Sequence, residues 1–158
     1  MARRSVDRQS EVVDAVLGAG RVLQGVGARS IAEIDPDVTV AQFRVLAVLA
    51  AAGPQRVADL ANALEAEPST ATRLCDRLAR KKLVRRQRLN ADRRTVQVLL
   101  SETGQRLVDQ VGERRRAEVA KILRRLPTAE QEQLIEVLRS FNGSALEGSS
   151  LGTNGWAP

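Results

Sequence analysis

The chain has 158 residues, 43% of them hydrophobic and 2% aromatic, enough for one domain with a buried core and too few for two independent ones. It contains no histidine, no tyrosine and a single cysteine, which removes the commonest general base and metal ligand and any intrachain disulfide framework. A formal net charge of +6 favours a polyanionic partner or an anionic surface.

The distribution of charge says more than its total. Ten basic residues lie between Arg73 and Arg94 (Arg73, Arg77, Arg80, Lys81, Lys82, Arg85, Arg86, Arg88, Arg93 and Arg94) against Asp76 and Asp92, a net +8. The other residues hold fifteen bases and seventeen acids, a net −2. One segment therefore carries the whole excess, the footprint expected of a nucleic-acid site. Arg3 and Arg4 near the N-terminus are followed by no long apolar run, and no stretch approaches the roughly 18 apolar residues of a membrane span. With a lone thiol as well, the chain reads as cytoplasmic, with no membrane partner.

From Ser10 to Ile34, Val12, Val13, Val16, Leu17, Val22, Leu23, Val26, Ile31 and Ile34 recur mostly three and four residues apart, which predicts an amphipathic helix. Gly18, Gly20, Gly25 and Gly27 weaken it and suggest close contact with another helix. "DPDV" breaks the pattern. Thr39 and Gln42 have capping-box spacing and start a second helix, Val40 to Ala52, which "AAGP" ends. Val57, Leu60, Ala61 and Leu64 mark a short third helix, and Pro68 opens a fourth that runs to about Lys82. Two short helices joined by a few residues suggest helix-turn-helix. Val84 to Leu89 and Thr95 to Leu100 have strand character around the turn-forming "NADR". Ser101 can cap a long helix to Leu126, stopped by Pro127, and Thr128 with Gln131 repeats the capping-box spacing before a last helix containing Leu134, Ile135, Leu138 and Phe141. The Gly/Ser-rich end reads as a disordered tail.

The predicted fold is mainly α with a small β-hairpin wing. A winged helix-turn-helix (37–100) is set between an N-terminal dimerisation helix (1–36) and C-terminal dimerisation helices (101–142), with a tail at 143–158. A helix of roughly 25 residues is about 37 Å long, too long to bury its apolar side on so small a core, so a partner subunit is expected over the remainder.

On a helical wheel, Ala71, Leu74, Cys75 and Leu78 cluster on one side of the fourth helix, with Ser69, Arg73, Asp76, Arg77 and Arg80 opposite and Thr70 and Thr72 on the flanks. The polar side offers hydroxyls near the helix N-terminus and guanidinium forks further along, groups suited to phosphates and to base edges in a major groove. In the hairpin, Asp92 is the lone acid of the turn and can orient a neighbouring guanidinium. Arg93 or Arg94 can then enter a minor groove while Arg85, Arg86 and Arg88 meet phosphates. Cys75 falls on the packed side and reads as a structural thiol. "ERRRAE", Glu113 to Glu118, reads as a solvated face.

Three stretches, "VADLANALEAEPSTATRLCDRLARKKLVRR", "ADRRTVQVLLSETGQRL" and "LPTAEQEQLIEVLRSF", resemble the helix-turn-helix, the wing with its following helix, and the last helix of the MarR (multiple antibiotic resistance regulator) family of dimeric winged-helix transcription factors. The Asp-x-Arg of the wing is the most specific piece. The resemblance implies that Asp92 stabilises the wing, Arg94 reads the minor groove, and Ser69, Thr70, Thr72, Arg73 and Arg77 contact groove and phosphates. Lys82 is a departure, since the family often has a glycine after the recognition helix. The family commonly binds small aromatic or phenolic effectors in a crevice between its dimerisation and DNA-binding parts. Here that would involve Phe43, Leu46 and Ala47, with Arg21 or Arg29 available for a carboxylate. No metal and no other cofactor is expected, the chain having no histidine.

The leading expectation is thus a homodimeric, ligand-responsive repressor of a pseudo-palindromic operator on double-stranded DNA. The alternative is a winged-helix adaptor that binds an acidic protein surface. An enzyme is disfavoured, because no nucleophile can be paired with a base.

Overall fold

A computed structural model describes residues 2–88 and 96–148. Among the described residues, six α-helices and three short strands follow in order: α1 Ala2–Ile34, α2 Val40–Ala52, β1 Gln55–Arg56, α3 Val57–Ala63, α4 Pro68–Arg80, β2 Val84–Arg88, β3 Val96–Leu100, α5 Glu102–Leu123 and α6 Thr128–Gly148. The strands form one antiparallel sheet in the order β1-β3-β2, with Val84 opposite Leu100 and Arg86 opposite Val98. This is the expected mainly helical fold with a small β wing. The expectations placed on "NADR" fall outside the described residues.

Local chemistry sets most helix boundaries. At α2 the Thr39 hydroxyl accepts from the Gln42 N–H at 3.2 Å and the Gln42 side chain accepts from the Thr39 N–H at 2.9 Å, a complete capping box. At α5 the Ser101 hydroxyl accepts from the Gly104 N–H at 3.0 Å. The spacing at Thr128 forms no such box. Helix α6 already begins at that residue, the Pro127 carbonyl accepts from the backbone N–H groups of Glu130 and Gln131, and the Gln131 amide instead donates to the Leu126 carbonyl at 2.9 Å.

Two helices exceed their expected lengths. α1 begins at Ala2 rather than Ser10, because the polar residues before Ser10 contain no breaker although they carry no apolar period. α6 continues to Gly148, past the expected start of the tail at 143, since Gly143 is tolerated within a helix and good helix formers, Ala145 to Glu147, follow it. Strand β1 was not foreseen; two residues carry no periodicity, and only their pairing with Gln97 and Val98 makes them a strand.

Ile31, Val45, Leu46, Leu49, Leu60, Cys75, Leu78, Leu83, Val84, Val98, Leu107 and Val111 form a continuous core, drawing on α1 to α5 and the sheet. α1 lies along α5. Arg114 of α5 pairs with Glu33 of α1, and Glu118 accepts from Arg114 at 3.2 Å and from Lys121 at 2.7 Å. "ERRRAE" is thus part of a charged seam between helices rather than only a solvated face. Three of the four glycines of α1 do not mark a close approach within the chain: a Cβ at Gly20 would meet nothing, and at Gly18 or Gly25 only the tip of an arginine, whereas Gly27 is buried.

Candidate nucleic-acid interface

The helix-turn-helix is closed by two backbone caps of the same kind. After α3, Glu65 adopts φ +52°, its N–H donates to the Asn62 carbonyl at 3.1 Å, and the Ala66 N–H reaches the Ala61 carbonyl at 2.9 Å. This tight end turns the chain into α4, which starts at Pro68 where a missing N–H is harmless. The Thr72 hydroxyl donates to the Pro68 carbonyl at 2.9 Å. Ala71, Cys75 and Leu78 are buried while Ser69, Thr70, Thr72, Arg73, Arg77 and Arg80 are exposed and Asp76 half-buried, so the helix docks by its apolar side and leaves the opposite one open. Arg73, Asp76, Arg77 and Arg80 together line a shallow, open groove on that side.

α4 leads through Lys82, at φ +60°, into β2. Arg85, Arg86 and Arg88 are exposed along this strand. The Arg86 guanidinium donates to the Asp76 carboxylate at 2.5 Å, tying the wing strand to α4 through a pair that is about half exposed. Arg86, expected at phosphates, therefore already has a protein partner, although a guanidinium's five N–H groups leave donors to spare. The Asp76–Arg86 pair is a link that sequence reasoning missed; the two residues lie ten apart on different elements, and no local pattern joins them. Asp92, Arg93 and Arg94 lie outside the described residues. From Arg73 to Arg88 there are still eight cations against the one acid, and all of them but the half-buried Lys81 are exposed.

A MarR family model matches residues 38–96, from the start of the helix-turn-helix into the wing. The HTH-type transcriptional repressor MdtR of Bacillus subtilis is 34% identical over 100 residues, which are 63% of this chain and 64% of MdtR. The crystal structure of RV1404 from Mycobacterium tuberculosis superposes with a TM-score of 0.79 at 36% identity, covering 86% of this chain and 93% of that one. A MepR mutant of Staphylococcus aureus, solved bound to an oligodeoxyribonucleotide, shares the fold at a TM-score of 0.67 and 22% identity, over 84% of this chain and 96% of its own. The chain belongs to the MarR family. It is accordingly a DNA-binding transcription regulator of winged-helix type and not an enzyme.

Within this MarR-family chain, the residues expected to hold an effector are placed apart in character. Leu46 is wholly buried in the core, Phe43 and Ala47 of α2 are half-buried, and Arg21 and Arg29 are exposed on α1. A small crevice does open between the two parts of the molecule, lined by Ile34, Asp35, Leu83, Thr103, Arg106 and Leu107, and it includes none of those five. Cys75 has no exposed surface, and burial pushes its thiol up, outweighing the nearby Arg86 guanidinium. A thiol so placed is held protonated and inert.

Gly104 is a second residue that the sequence did not single out. A Cβ there would lie 2.1 Å from the Leu83 carbonyl oxygen and 2.8 Å from Leu100 Cδ1. The same joint is laced by the Ser101 hydroxyl, which donates to the Lys82 carbonyl at 2.7 Å, and the Ser101 N–H, which donates to the Leu83 carbonyl at 3.1 Å. The first turn of α5 is thereby fastened to the end of α4.

Proposed function

We propose that this regulator is a homodimeric, cytoplasmic repressor that grips a pseudo-palindromic operator through α4 and the wing of each subunit and releases it when a small aromatic effector binds. The observation that carries the reading is the open face of α4, with Ser69, Thr70 and Thr72 toward its N-terminus and Arg73, Arg77 and Arg80 beyond them, continued by Arg85 and Arg88 on β2. Such a face supplies short hydroxyls and guanidinium forks to a groove and to the phosphates that border it.

Dimerisation is supported by what a single chain leaves uncovered. Val12, Val13, Val16 and Leu17 of α1 and Ile135, Leu138 and Phe141 of α6 are each two-fifths or more exposed, and α6 stands off the rest of its own chain. Apolar surface on this scale is covered in a stable soluble protein, and a second copy offers the matching stripes. The crevice beside Leu83 and Arg106 supports the effector part of the reading, because it lies where α5 meets the end of α4. Selection of bound fragments from genomic DNA tests the proposal. The expected result is enrichment of an inverted repeat with half-sites about one helical turn apart; recovery of fragments at random would contradict it.

A further inference from the structure

Among the described residues, two non-glycine residues adopt positive φ, Glu65 and Lys82, and Lys82 lies at φ +60° between the last turn of α4 and the first residue of β2. In this left-handed conformation Cβ is crowded against the backbone, a cost that glycine escapes. The cap at this point is made by backbone alone. The Lys82 N–H donates to the Ala79 carbonyl at 2.9 Å, the Leu83 N–H donates to the Leu78 carbonyl at 3.0 Å, and Leu83 and Leu78 are both buried beside it. The Lys82 carbonyl accepts from the Ser101 hydroxyl. None of these bonds uses the lysine side chain, which is exposed, so glycine would make the same cap with less strain.

The charge at this position is unfavourable as well. Arg80, Lys81, Lys82 and Arg85 crowd into six residues, and among the described residues the one ion pair of the segment joins Arg86 to Asp76. The negative end of α4 attracts cations, but Arg77 and Arg80 already occupy its last turn. A cation kept against both backbone strain and like-charge repulsion implies a polyanion that relieves the repulsion, and strained residues of this kind gather at functional sites.

We propose that Lys82 is a further phosphate-binding residue of the DNA interface, retained in a conformation that lowers the stability of the fold. This rests on the DNA-binding reading above and adds a contact between the α4 face and the wing strand. Three variants test it on a mixed-sequence DNA duplex: Lys82→Gly, Lys82→Asn, which tolerates positive φ without charge, and Lys82→Arg. Lys82→Gly is expected to raise Tm yet weaken binding about fivefold per subunit at physiological salt, with the slope of log K against log salt shallower by about 0.9 per subunit. Lys82→Asn should lose binding in the same way, and Lys82→Arg should keep it. Unchanged affinity and slope in Lys82→Gly, or a Tm that fails to rise, would overturn the proposal. A wild-type chain that ignores the duplex would instead overturn the DNA-binding reading on which it stands.

Discussion

Gly104 shows how little room is left where α5 meets the end of α4. Its missing side chain lets the Leu83 carbonyl approach to a point 2.1 Å from where a Cβ would sit, and backbone on both sides cannot yield as a flexible side chain could. Gly104→Ala is expected to lower stability by roughly 1–3 kcal/mol, the usual cost of forcing extra atoms into a packed site, as a reduced urea midpoint. A midpoint equal to wild type would show that the joint has slack. This contact is illegible in the sequence because Gly104 and Leu83 are 21 positions apart, and nothing about "SETGQ" distinguishes a glycine under a carbonyl from one in the open. Thr39 with Gln42 and the Ser101 cap are legible for the opposite reason, since each bonds to backbone three residues away. Asp76 falls between these cases. Its place on the outer face of α4 follows from helical spacing, whereas its bond to Arg86 depends on how β2 lies against the helix.

That pair matters most at the level of elements, because it links the recognition helix to the wing strand outside the core they share. Both partners are about half exposed, so the bond itself contributes only about 0.2–1 kcal/mol. Asp76→Ala should therefore cost the fold less than about 1 kcal/mol in urea titration. Its effect on DNA is expected to be larger and of opposite sign. Removing an acid from the basic face and freeing Arg86 for phosphate should tighten nonspecific binding and steepen the salt slope by up to about 0.9 per subunit. Weaker nonspecific binding would mean that Asp76 holds Arg86 in place for the DNA rather than drawing it away. The elements themselves were readable wherever apolar period and breakers agree: α2 spans Val40–Ala52 as its capping box and "AAGP" predict, and β2 and β3 fall within a residue of the expected arms. The misses follow from the same rule. The polar start of α1 has no period, β1 is two residues long, and the glycines near the end of α6 suggest a breaker where Gly143 is simply accommodated.

For the molecule as a whole, charge and apolar surface are segregated. The basic excess lies on α4 and the wing, while exposed valines and leucines run along α1 and, on α6, Ile135, Leu138 and Phe141 are exposed as well. Periodicity in the sequence marks these stripes as apolar, yet it cannot say whether the chain itself covers them; the fold shows that it does not. Under the proposed function, the apolar stripes on the terminal helices pair two chains and the basic face presents two copies of α4 to one duplex. The measurement that tests this most directly is sedimentation of the 17.2 kDa chain with a DNA duplex over a range of salt concentrations. Two chains per duplex are expected, with an affinity that falls by orders of magnitude between about 50 and 200 mM salt, as for a complex built on six or more phosphate contacts. One chain per duplex, or an affinity indifferent to salt, would contradict the account.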